Sequence, residues 1–129
     1  MFESLFSGSD PTTKLFRRIW SASYASQSWT NPDKLAVAAT DKREALDELF
    51  SHFGIDFSSP STLTADNFDR LIESSAKFEN RNPVNKGITT INELIVEIKS
   101  RYVSTDDRLR ENIEGYLKVS IPRHFQGKG

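Results

Sequence analysis

The fold class follows from residues 90–102, which read TINELIVEIKSRY. Apolar side chains recur in this stretch at positions i, i+3, i+4, i+7 and i+11, which is the spacing of one face of an α-helix. Thr90 and Glu93 have the spacing of a capping box, in which two side chains cap backbone amides at the start of a helix. The start of the stretch is rich in β-branched residues and could be mistaken for a strand. The helical period covers the whole stretch, so we predict a helix over residues 91–102.

Four more segments show helical periodicity, and each begins at a recognisable signal. Asp10-Pro11 and Asn31-Pro32 both place a capping side chain before a proline, which lacks the amide that a helix start leaves unpaired. A hydrophobic staple opens the third helix, and a second capping box opens the fifth. The predicted helices cover residues 11–28, 32–53, 65–79, 91–102 and 105–121.

The second helix has an alternative interpretation. Its apolar stripe keeps the helical period from residue 35 to residue 53, and only Lys42 interrupts it, which favours one continuous helix. Asp41 and Glu44 have the spacing of a further capping box, so a break near Thr40 is the alternative.

Five helices without a convincing strand predict an all-α bundle. A chain of 129 residues is of ordinary size for one domain. We therefore expect a single helical domain over residues 1–122. Pro122 is expected to end the fifth helix, and residues 123–129, which include two glycines, are expected to form a flexible tail.

The composition narrows the function mainly by exclusion. The chain has no cysteine, which excludes disulfides, thiolate zinc sites, iron–sulfur clusters and cysteine nucleophiles. Its 17 basic and 18 acidic residues give a formal charge of −1, which argues against a general coat for nucleic acid. No apolar run approaches the ~18 residues of a membrane span, and the first residues lack the pattern of a secretory signal. We expect a cytoplasmic protein without a membrane partner.

Motifs that would carry out chemistry are scarce. The sequence contains no glycine-rich phosphate loop and no G-x-S-x-G elbow. Glu48 and His52 are four residues apart and could share a metal ion, but no second histidine lies within reach on that helix. We therefore expect a non-enzymatic protein that needs no cofactor or metal. A metal-binding or enzymatic bundle centred on Glu48 and His52 is a secondary alternative.

The aromatic content suggests a binding role. Nine phenylalanines and two tryptophans are many for 129 residues, and several of them lie outside the helical stripes. If these side chains are exposed together, they form a site for another protein or for a second copy of the chain. Our leading prediction is a small protein–protein interaction, adaptor or assembly protein. The candidate partner-binding residues are Trp29, Phe2, Phe6, Phe57 and Phe125.

Basic residues on the first helix support an alternative, a nucleic-acid-associated helical protein. Lys14, Arg17 and Arg18 lie on the polar side of that helix, and Arg123 adds a cation in the tail. They would form one phosphate-binding patch if the first and last helices pack together. The simpler interpretation is that these residues form a solvated helix face.

The second helix has an acidic side that could meet a basic partner surface. Simple hydration of these charges is again the simpler interpretation. The residues concerned are Asp33, Asp41, Glu44, Asp47 and Glu48.

Overall fold

The structure is a computed structural model that describes residues 11–28, 30–81, 90–102 and 106–125. These residues form five α-helices and contain no strand, which confirms the predicted all-α bundle. A short 3-10 helix, Pro60–Thr62, lies between the second and third helices. The α-helices are α1 (Pro11–Ser28), α2 (Pro32–His52), α3 (Ala65–Arg81), α4 (Thr90–Tyr102) and α5 (Asp107–Phe125).

Helix α2 is continuous through Thr40, so the alternative of a break at that residue is wrong. The Asn31 side chain caps its start by accepting hydrogen bonds from the amides of Asp33 and Lys34, at 2.8 and 3.3 Å. The helix is followed by Gly54 with a φ of 72°. Glycine suits this left-handed conformation because it has no Cβ to clash with the backbone.

One hydrophobic core cluster draws side chains from all five helices. Helix α1 packs mainly on α2, while α5 packs mainly on α3. Helix α4 contacts both α3 and α1, and α1 also contacts α3. The largest fully buried side chains of this core include Phe16, Phe50, Phe68, Ile72, Leu94, Ile98 and Ile113.

The last helix extends further than the sequence suggests. Pro122 lies inside α5, which continues to Phe125, so the prediction that this proline ends the helix is wrong. An interior proline costs about 3 kcal/mol because it removes a backbone hydrogen bond and crowds the preceding turn. Tertiary contacts offset that cost, since His124 contacts Asp69 of α3 and Phe125 packs against the core. Residues 126–129 of the predicted tail lie outside the described residues.

Candidate functional site

A surface groove of about 590 Å³ lies between α4 and α5. Its floor is apolar and is formed by half-buried and buried side chains, whereas its rim carries charged groups that are exposed. The lining residues are Ile95, Lys99, Glu114, Leu117, Lys118, Ile121 and Pro122.

The groove results from the way in which the helices share α3 as a neighbour. Both α4 and α5 pack on α3 but share few contacts with each other, so a gap remains between them. A hydrogen bond from the Tyr102 hydroxyl to Glu114, 2.6 Å long, joins the two helices beside the gap. Burial of the phenol, together with the adjacent Glu114 carboxylate, raises the pKa of Tyr102 to about 12.

The rim of the groove carries two cations that are available to a partner. Lys99 of α4 and Lys118 of α5 are exposed, and neither forms an ion pair within the part of the chain that the structure describes. The one carboxylate that lines the groove belongs to Glu114, which accepts the hydrogen bond from Tyr102. An occupant with an apolar surface and carboxylates would therefore match both the floor and the rim.

Much of the predicted acidic side of α2 is occupied within the chain itself. The Arg18 guanidinium of α1 lies 2.7 Å from an Asp41 oxygen, 3.5 Å from Glu48 and 3.9 Å from Glu44. The polar side of α1 thus meets the acidic side of α2 across the contact between the two helices. Arg18, a candidate for nucleic-acid binding, instead serves this internal contact.

The predicted basic patch is not assembled among the described helices. Lys14 and Arg17 are exposed on α1, but α1 packs on α2 and α5 packs on α3, so the first and last helices do not lie side by side. Arg123 lies on α5, and its guanidinium is 3.4 Å from Asp69 of α3. The four candidate residues are therefore divided among separate surroundings.

Two of the five aromatic residues predicted to bind a partner lie among the described residues. Phe57 is half-buried and makes edge contacts with the rings of Phe50 and Phe68, with centroids 5.3 and 6.2 Å apart. Phe125 is half-buried against the same core. These two do not form an exposed cluster, because their rings complete the core at its edge. Phe2, Phe6 and Trp29 lie outside the described residues.

Glu48 and His52, the candidate metal-binding pair, each have a protein neighbour in the structure. Glu48 is 3.5 Å from the Arg18 guanidinium, and His52 is an exposed side chain whose ring lies beside that of Phe53. Across the described ranges, no group of three or more histidine, aspartate or glutamate side chains could hold a metal ion.

Sequence reasoning missed a polar cluster that joins α3 to α5. One oxygen of the Asp69 carboxylate accepts a hydrogen bond from the Ser120 hydroxyl at 2.6 Å and contacts the His124 ring nitrogen at 3.0 Å. Burial of Asp69 acts to raise its pKa. The contacts with Ser120, His124 and Arg123 outweigh burial and lower the pKa of Asp69. The clue in the sequence is the i, i+4 spacing of Ser120 and His124, which the expected helix end at Pro122 conceals.

Serine, histidine and aspartate also form catalytic triads, but the geometry here differs. In a triad the histidine lies between the serine and the aspartate and takes the serine proton. Here the Ser120 hydroxyl and the His124 ring both contact the same Asp69 oxygen. The cluster therefore fastens the end of α5 to α3, and the Ser120 hydroxyl donates its hydrogen bond to the carboxylate and not to the histidine that acts as general base in a triad.

Comparisons with known proteins identify no relative. The chain matches no protein-family model, and no similar protein was found among curated proteins or solved structures. Within the described ranges, none of the helices has a stretch long and apolar enough to cross a membrane. The functional interpretation therefore rests on the geometry of the chain itself.

Proposed function

We propose that this chain is a non-enzymatic, cytoplasmic protein-binding module that docks its partner in the groove between α4 and α5. The observation that carries the proposal is the apolar floor of the groove beside the exposed lysines Lys99 and Lys118. Protein interfaces combine an apolar centre with a polar rim, and grooves between helices commonly receive one apolar face of a partner helix. A cytoplasmic location fits the absence of cysteine.

The positions of the polar groups favour a polypeptide over a small molecule. Small-molecule sites enclose most of the ligand and orient it with a few polar groups placed inside the pocket. In this groove the charged residues are exposed at the rim, and the residues of the floor are apolar. Binding to such a surface is favourable because it buries apolar area, and the charges at the rim determine which partner fits.

The length of the groove limits the size of the contact. Glu114 and Pro122 lie about 12 Å apart along the axis of α5, which corresponds to roughly two turns of a partner helix. A contact of this length covers less surface than the ~1,200–2,000 Å² of a standard stable interface. We therefore expect reversible binding, as suits an adaptor or an assembly protein.

The test compares two double variants in pull-downs from the native cell. Lys99→Glu with Lys118→Glu reverses the rim charges of the groove, while Lys14→Glu with Arg17→Glu makes the same charge change on exposed residues of α1. We expect at least one protein to be captured by the wild type and the α1 variant and lost by the groove variant. Circular dichroism would confirm that both variants are folded. If the groove variant captured the same proteins as the wild type, the proposal would be refuted.

A further inference from the structure

The outer side of α2 has the pattern that the groove requires. Asp33, Val37, Thr40 and Glu44 occupy positions i, i+4, i+7 and i+11, so they form one stripe along the helix. All four are exposed, and the exposed fraction of Val37 is 70%. We call these four residues the α2 stripe. Its centre is apolar or weakly polar, and a carboxylate lies at each end.

Neither carboxylate of the α2 stripe has a close ion-pair partner among the described residues. The Asp33 carboxylate forms no ion pair within the described part of the chain. Glu44 has a single contact, 3.9 Å from Arg18, and the same guanidinium lies much closer to Asp41, at 2.7 Å. The α2 stripe is therefore acidic at its ends, as the groove is basic at its rim.

We propose that the α2 stripe of one copy docks into the α4–α5 groove of a second copy. The inference rests on the proposed function and names the occupant of the groove. Val37 lies against the apolar floor near Leu117, and the carboxylates of Asp33 and Glu44 pair with Lys99 and Lys118. The two carboxylates are about 16 Å apart along α2, so they extend a little beyond the groove, which is about 12 Å long.

The two surfaces are different parts of the same molecule, which determines the form of the assembly. A contact between unlike surfaces closes as a two-fold dimer when each copy places its stripe in the groove of the other. Otherwise association is head-to-tail and produces a larger closed ring or an open chain. Because the contact is small and partly electrostatic, the associated fraction of the protein rises with protein concentration and falls with added salt.

The test is a charge swap followed by sedimentation velocity of the full chain over a series of protein concentrations. The groove variant is Lys99→Glu with Lys118→Glu, and the stripe variant is Asp33→Lys with Glu44→Lys. Each places like charges at the contact, so we expect each alone to remain a monomer at concentrations where the wild type associates. A variant with all four substitutions restores opposite charges and should associate again. The matched control, Lys14→Glu with Arg17→Glu, should associate like the wild type.

The rescue separates a specific contact from loss of folding, because a chain that is unfolded by two substitutions would not recover with four. A wild type that stays monomeric throughout the series overturns the proposal, and so does a four-substitution variant that fails to associate. If the wild type is monomeric but the groove variant still loses a cellular partner, the self-association is refuted while the proposed function stands. If neither effect is seen, both are refuted.

Discussion

Replacing Asp69 with alanine should detach the end of α5 from α3. The substitution removes the acceptor of the Ser120 hydroxyl, which is 2.6 Å away, and the partner of the His124 ring at 3.0 Å. Ser120 is only 3% exposed, so its hydroxyl would lose its partner in a buried position. An unsatisfied buried polar group costs about 1–3 kcal/mol, and hydrogen bonds to a charged group are worth about as much.

The expected loss in the free energy of unfolding is about 2–3 kcal/mol. The loss in free energy is smaller than the sum of the lost contacts, because the end of α5 contains Pro122 and can unwind locally. Unwinding would release the cost of the interior proline, about 3 kcal/mol, in exchange for the remaining contacts of Phe125. We therefore expect the last turn of α5 to open before the rest of the helix.

Two measurements check this prediction. Urea unfolding followed by circular dichroism gives the free energy, and amide hydrogen exchange reports opening of residues 121–125. The matched control is Glu73→Ala, one turn further along α3, where a half-exposed carboxylate lies 3.7 Å from Lys77. That ion pair is worth a few tenths of a kcal/mol, roughly the value for helix pairs at this spacing. The reasoning fails if the two variants are equally stable, or if exchange at residues 121–125 is unchanged in Asp69→Ala.

The same carboxylate predicts a pH dependence. The pKa of Asp69 is lowered in the folded chain, so its contribution to stability is present above the unfolded carboxyl pKa of about 3.9. That contribution is lost as the pH falls through the lower folded value. The difference in stability between the wild type and Asp69→Ala should therefore shrink in acid, as the Asp69 carboxylate is protonated in the folded chain. A difference that stayed constant into strong acid would contradict the role of the ionised carboxylate.

Three further predictions concern single residues. Gly115→Ala should stabilise the chain by about 1 kcal/mol, because an added Cβ at this helical position meets nothing within 4 Å; a lower urea midpoint would contradict this. Gly54→Ala should instead destabilise it by about 1 kcal/mol, because the residue has a φ of 72° although the nearest side-chain atom is 3.8 Å from the new Cβ; equal midpoints would contradict this. The third prediction concerns Tyr102, whose pKa is raised to about 12 in the folded chain. The protonated phenol therefore contributes to stability below the unfolded pKa of about 10, and this contribution is lost as the pH rises towards 12. Tyr102→Phe should remove that alkaline loss, and an unchanged alkaline profile in an unfolding series would refute the assignment.

The positions of the helices could be predicted from the sequence because they depend on local information. Helical periodicity and the capping side chains act within a few residues, so α1 and α2 begin at Pro11 and Pro32 as predicted. The stripe that keeps its phase through Thr40 correctly indicated one long helix. Which of these helices pack against each other, in contrast, does not depend on local sequence.

The candidate site could be predicted only in part, because it depends on which helices become neighbours. The acidic character of α2 was visible in the sequence, but the engagement of part of it by Arg18 follows from the packing of α1 on α2. The groove could not be predicted from the sequence, because its residues have the same pattern as an ordinary apolar stripe of α4 and the adjacent side of α5. It exists because both helices pack on α3 and leave a gap between them.

By itself, the sequence determined the number of helices, their approximate ends and the charge that each one carries. The tertiary structure decided whether a helix ends at a local stop signal and whether a charged helix face is paired within the chain. Pro122 shows the physical reason. Its local cost of about 3 kcal/mol is comparable with what a few half-buried contacts of the last turn with α3 and the core supply. Where local and tertiary terms are of similar size, only the packed molecule shows which of them prevails.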